Sequence, residues 1–395
     1  MLEFPKWQLH LIPTTMDVFN TLLEQNPATR TIKVVDMHTS GEPTRIVLNG
    51  YPHLEGDTLL EMRRCASQKH DDIRQRLMRE PRGHTEMYGA ILIAETELTR
   101  RGEADIGVLF CHNEGYSTMC GHATIALGRF LVDTHDLTIF PRRNMLPHDE
   151  ATGLTTLRLH APCGVVHVSV HTDGGHSHPT RPVSFLGVPS FVTARDLEVE
   201  IPSSEQWKRL RDVQRSHVKV DISYGGAFYA LVSAAELGFP DGVRGDPRTL
   251  AEFDDATAAL KRVLYPRKEL YRHPSEPDLE FLYGVMVVER TAKGEIGLCF
   301  FADQQIDRSP CGSCVMARVA LAVDQGRLQI GEACDYESIV SLLNDGNGFR
   351  GTAIETGPEG VIVKVEGRAF YTGAASFVVE ETDMVPNGFA VALPS

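Results

Sequence analysis

The chain has 395 residues, 42% of them hydrophobic and 23% charged, which excludes a disordered tract or a coiled coil and allows two domains, each with a sizeable core. Lys and Arg number 39 against 53 Asp and Glu, a formal net charge of -14, and no long basic block stands out, so nucleic acid is not an expected partner. No stretch approaches 18 charge-free apolar residues, which argues against a membrane span.

In chain order, residues 1–30 read as a peripheral extension with a short amphipathic helix over 15–23; the segment lacks the apolar run of a secretory signal, and a cytoplasmic location is the expectation. From Thr31 the pattern becomes strand, strand, helix: TIKVVDMH, TRIVLNGYP and the helical DTLLEMRRCASQKHDDIRQRLMREP. YGAILIAE and ADIGVLFCH have strand length, and GHATIALGRFLVDTH places Ile125, Leu127, Phe130 and Leu131 on a buried helix face. After the strand-like TTLRLHAPCGVVHVSVHT, the Gly/His/Pro segment DGGHSHPTRP reads as a junction. The second half runs through the same kinds of element and ends in the strands GTAIETG and GVIVKVEGRAFYTGAASFVVE.

CGHATIALGRFLVD from Cys120 matches CGSCVMARVALAVD from Cys311, and YGAILIA sits beside GGAFYALV as a weaker repeat. Two pseudo-symmetric α/β (α+β) domains follow as the expected fold class, with residues 31–180 plus about 355–395 in the first and 181–354 in the second. Each then presents a Cys at the start of a helix, where unpaired N–H groups stabilise a thiolate and can hold a carboxylate. Two thiols on opposite sides of a Cα suit proton removal on one face and delivery on the other.

Other readings of the cysteines are weaker. Cys311 and Cys314 form a CxxC without a thioredoxin pattern around it, and Cys111, His112, Cys120 and His122 are awkwardly spaced for a tetrahedral zinc. No dinucleotide fingerprint, Walker A or HExxH is present. The eight cysteines read as reduced thiols; Cys314 reads first as a small core-facing residue, ahead of an oxidation that would tie it to Cys311.

The blocks DMHTSGEPTRIVLNGYP, PRGHTEMYGA, MCGHATIALGR, DISYGGAFYA and QIDRSPCGSC, in that order, resemble those of the proline racemase family over roughly residues 31 to 385. The family includes proline racemases, 4-hydroxyproline 2-epimerases and trans-3-hydroxy-L-proline dehydratases. The resemblance implies the diaminopimelate-epimerase-like fold with the site in the interdomain cleft, and chemistry without pyridoxal phosphate, metal or nucleotide. It places Cys120 and Cys311 on the acid/base positions, with Gly121, His122, Gly312 and Ser313 around the substrate carboxylate. By the same likeness Asp307 receives the ring amine, Phe301 forms an aromatic wall and His84 joins the polar shell.

Within the family the signals divide. Cys at both positions and Met119 before Cys120 resemble the racemases, and members that dehydrate commonly carry Thr in place of the second Cys. CGHA, GGAFYA and FLYG look more like the dehydratases. The expectation ranks racemisation of proline first, dehydration of trans-3-hydroxy-L-proline second and 4-hydroxyproline epimerisation third, ahead of a non-catalytic binding protein. The expected partner is a small-molecule substrate, proline or hydroxyproline, and symmetry base rates favour a homodimer.

Overall fold

A computed structural model describes residues 31–244, 249–344 and 347–390, so the expected extension and its helix lie outside the described residues. Parallel strand pairs need a crossover, and four of them here are bridged by helices. Glu42–Asn49 reaches Gly89–Ile93 through Leu59–Lys69 and Asp71–Met78, and Phe228–Ser233 reaches Leu282–Thr291 through Leu250–Leu264. Ile106–Cys111 reaches Leu154–Ala161 through Gly121–Asp133, and Gly294–Phe301 reaches Ala333–Glu337 through Gly312–Asp324.

The pairing senses repeat. Ala369–Phe377, Ile32–Thr39, Glu42–Asn49, Gly89–Ile93, Ile106–Cys111, Leu154–Ala161, Gly164–Asp173 and Val183–Leu186 join as antiparallel, antiparallel, parallel, antiparallel, parallel, antiparallel, antiparallel. Phe191–Glu200, His217–Tyr224, Phe228–Ser233, Leu282–Thr291, Gly294–Phe301, Ala333–Glu337, Phe349–Gly357 and Gly360–Gly367 give the same series. The last strands of the two sets, Val183–Leu186 and Gly360–Gly367, pair with each other and join the halves. The chain changes sides between Leu186 and Phe191 and again between Gly367 and Ala369. We place the domain junctions there, later than residues 180 and 355, because strand pairing carries each half past those points.

One core cluster encloses both Gly121–Asp133 and Gly312–Asp324 and runs through both halves. Each of these 13-residue helices is apolar almost all round because strands from its own half and the seam strands wrap it. Separate clusters sit under Leu59–Lys69 in the first half and Leu250–Leu264 in the second. The helix expected over 57–81 is broken at His70, whose φ of -133° leaves the helical region. Past the break, Asp71 holds the buried Arg74, whose Nη1 donates to the carbonyls of His112 and Asn113. A new helix start at Asp71 puts that carboxylate in its first turn, where the helix dipole favours it.

Candidate active site

The two long core helices meet end to end. A Cβ on Gly121 would lie 2.5 Å from the Gly312 Cα, and one on Gly312 would lie 2.8 Å from the Gly121 Cα. Real Cβ atoms do not come so close, so the absence of a side chain at both positions lets the two helix starts abut. The cysteine just before each glycine is thereby brought to one small cleft of about 240 Å³, lined by Tyr88, Met119, Cys120, Gly121, His122, Tyr229, Tyr283, Phe301, Asp307, Cys311, Gly312 and Ser313.

The two thiols are held differently. Cys120 is extended at φ -146°, and its sulfur accepts the Ala123 N–H at 3.4 Å, capping its own helix. The His122 Nδ1 lies 3.3 Å from the same sulfur, and Thr39 Oγ1 donates to the His122 carbonyl at 2.9 Å. Burial pushes the Cys120 thiol well above its ordinary pKa and holds His122 down to about 4, so at neutral pH this side carries an uncharged thiol beside a neutral imidazole.

Cys311 takes a left-handed φ of 63°, a conformation that costs about 1–3 kcal/mol in a residue other than glycine. Ser309 Oγ accepts its N–H at 3.1 Å, and the Ser309 N–H in turn donates to Asp307 Oδ1 at 2.8 Å. Burial works against charge on Cys311 too, but the side chains of Cys299, Cys314 and Tyr229 and the Cys314 N–H donate to its sulfur and outweigh burial, holding its pKa well below the thiol range. One thiol and one thiolate are what acid/base work at a single carbon requires. Cys314 is fully buried as one of these donors, and all eight cysteines are free thiols.

Most of the sequence-predicted residues converge on the cleft. Asp307 lines it, and burial together with the charges of Glu42 and Cys311 raises its carboxyl well above the usual range. Phe301 stacks on Tyr283 at 5.6 Å and lies 6.1 Å from Tyr88. His84 is the exception and its placement is corrected: it lines a separate opening with Asp36, His38 and Gly41. PRGH follows the helix Asp71–Met78, and His84 is not among the residues that line the cleft at the helix starts.

Sequence reasoning missed Glu42 and three tyrosines. Glu42 is 1% exposed; its Oε2 accepts the Arg308 N–H at 2.7 Å, its Oε1 has no hydrogen-bond partner, and burial raises its pKa to about 8. Tyr88, Tyr229 and Tyr283 are buried and line the cleft with the two thiols. Each lay inside a quoted block, in TSGEPT, MYGA, GGAFYA and FLYG, but no local spacing marks such residues as site residues. Among the described residues no group of three or more His, Cys, Asp or Glu is arranged to hold a metal ion, and no helix is long and apolar enough to cross a membrane.

Comparison with known proteins places this geometry. Two solved structures share the fold: a hydroxyproline epimerase from Agrobacterium vitis with bound trans-4-hydroxy-L-proline, at TM-score 0.74 and 23% identity over 92% of this chain and 96% of that one, and a probable proline racemase from Agrobacterium radiobacter with bound carbonate, at TM-score 0.75 and 23% identity over 91% and 96%. In sequence, the chain is 42% identical over 373 residues to trans-L-3-hydroxyproline dehydratase of Pongo abelii and to trans-3-hydroxy-L-proline dehydratase of Homo sapiens, covering 92% of this chain and 96% of each relative. It is 36% identical over 366 residues to trans-3-hydroxy-L-proline dehydratase of Burkholderia ambifaria, covering 92% and 98%. These relatives overturn the ranking that put racemisation of proline first, because similarity along nearly the whole chain runs to proteins named as dehydratases. The paired cysteines behind that ranking do not separate the two reactions, since both begin with loss of the Cα proton. The family model described as Proline racemase matches residues 34–390, and the chain belongs to the proline racemase family as one of its enzymes.

Proposed function

We propose that the protein removes water from trans-3-hydroxy-L-proline to give a cyclic imine. The observation that carries this reading is the 42% identity over 92% of the chain to the human dehydratase, on a cleft that holds what the reaction needs. The ring amine is cationic and takes Asp307, whose raised carboxyl it draws back to the ionised form; the carboxylate takes the N–H groups at the two helix starts, which have no partner within the helix. Those donors also stabilise charge that builds on the carboxylate as the Cα proton leaves. Buried aromatic walls exclude water and strengthen each of these contacts.

A thiolate at the Cα takes the proton, the freed electron pair forms a C2=C3 double bond, and the 3-hydroxyl departs as water once protonated. The resulting enamine tautomerises to the cyclic imine. Positioned acid/base groups supply about 10²–10⁴-fold each.

Parallel incubation in deuterated water with trans-3-hydroxy-L-proline, trans-4-hydroxy-L-proline and L-proline tests the reading by NMR. Cyclic imine formed from the 3-hydroxy substrate, as the fastest of the three reactions, is the expected result. Faster inversion of the 4-hydroxy substrate at C2, or no turnover of any of the three, would overturn it.

A further inference from the structure

Each thiol in the cleft has its own tyrosine, and each tyrosine is tied to a serine. On one side Tyr88 lines the cleft beside Cys120 and Tyr283, and its hydroxyl lies 2.5 Å from Ser117 Oγ. On the other the Tyr229 hydroxyl lies 3.6 Å from Cys311 Sγ and 2.6 Å from Ser313 Oγ. Tyr88 and Tyr229 are 1% and 0% exposed and both line the cleft. A buried hydroxyl needs one partner, and the serine supplies it in each case; the place beside a thiol is more than packing requires.

The substrate's stereochemistry gives that place a use. In a trans-3-hydroxy-L-proline ring the carboxylate and the hydroxyl stand on opposite faces, so the Cα hydrogen and the hydroxyl stand on the same face. The thiolate that takes the hydrogen and the acid that meets the departing hydroxyl must therefore lie on one side of the ring. We infer that Tyr88 and Tyr229 are proton donors to the leaving hydroxyl, each paired with the thiol on its own side of the cleft, with the tyrosine on the Cα-hydrogen face serving the reaction. The inference deepens the dehydratase reading and rests on it.

The step balances without a co-reactant. The C–H proton moves to the thiolate as S–H and the C–H pair becomes the C2=C3 bond. The C3–O bond breaks with its pair on oxygen, and the tyrosine O–H proton completes water. The tyrosinate then takes the S–H proton, which restores thiolate and phenol together. Ser117 and Ser313 are positioning residues that hold each phenolic oxygen in place. Burial keeps both phenols protonated throughout the working pH range.

The test compares Tyr88→Phe and Tyr229→Phe with the wild type on trans-3-hydroxy-L-proline in deuterated water, reading imine formation and Cα deuterium in recovered substrate. Phenylalanine keeps the ring packing, and continued exchange shows that the thiol chemistry and the fold are intact. The expected result is that one variant loses imine formation by about 100-fold while its recovered substrate gains deuterium, and the other loses distinctly less. Ser117→Ala or Ser313→Ala on the same side as the sensitive tyrosine lowers imine formation with the same retained exchange. The inference is overturned if both phenylalanine variants form imine within about fivefold of wild type, or if exchange and imine formation fall together in both. Wild-type enzyme that makes no imine but inverts the 4-hydroxy substrate would instead remove the dehydratase reading itself.

Discussion

The Cys120 and Cys311 helix starts occupy equivalent places in the repeated strand series, yet they hold sulfur in different states. Cys120 caps its helix from an extended backbone and burial dominates; Cys311 sits in a left-handed conformation that releases its sulfur from capping and turns it toward four donors. The scaffold repeats while the local environment does not. A symmetric fold can therefore present an acid and a base at one carbon, because pKa follows local donors and burial and not position in the topology.

The largest expected effect separates the two thiols by function. If the Cα hydrogen and the hydroxyl leave from one face, one of Cys120→Ser and Cys311→Ser lowers imine formation by about 10³-fold while the other stays within about tenfold. Steady-state rates on trans-3-hydroxy-L-proline check this, and equal losses in both would show that both faces act. Next in size is the seam between the halves. Gly121→Ala or Gly312→Ala drives a methyl into the opposite helix start, and shifting the thiols by a fraction of an ångström lowers turnover by about 100-fold, with about 1–3 kcal/mol of stability lost to overpacking. Denaturant melts and turnover on the two variants measure both; a tolerated methyl would mean that the helix starts need not abut.

Much of this comparison was legible in the residues. The aligned Cys-Gly starts of CGHATIALGRFLVD and CGSCVMARVALAVD pointed to two related halves, because an apolar helix entered through Cys-Gly is a local signal. The return of Ala369–Phe377 to pair with Ile32–Thr39 was only partly legible, since strand partners distant in sequence leave no local mark. Glu42 and the tyrosines were hidden for the same reason: each side chain is brought in by a strand or loop whose neighbours in sequence face elsewhere. His84 shows the reverse error, a polar residue in a family-like block that the turn after Asp71–Met78 carries to a different opening.

A smaller effect tests the difference between the sulfurs directly. Iodoacetamide at neutral pH alkylates a thiolate, so Cys311 is expected to react before Cys120 by about tenfold or more, although the two are similarly buried at 5% and 4% exposure. Peptide mass spectrometry at short times reads the order, and modification of Cys120 first would reverse the assignment of thiol and thiolate.

The smallest effect concerns the charge that the Cys311 side tolerates. Glu42 faces Arg308, Glu86, Asp307 and Cys311, and it is neutral below about pH 8 and anionic above. Its folded pKa is raised above the ordinary carboxyl value, so between that value and about 8 the folded state holds a proton that the unfolded state has lost. This group's contribution to stability therefore falls as pH rises through that window and is constant beyond it. Glu42→Gln cannot titrate and retains a carbonyl oxygen for the Arg308 N–H. Its melting temperature is expected to gain on wild type by about 3 °C between pH 5 and pH 8.5, with a flatter alkaline limb in kcat/KM. Calorimetry at the two pH values checks the sign: a gap that stays constant, or closes as pH rises, would show that Glu42 is ionised in the folded state across that range.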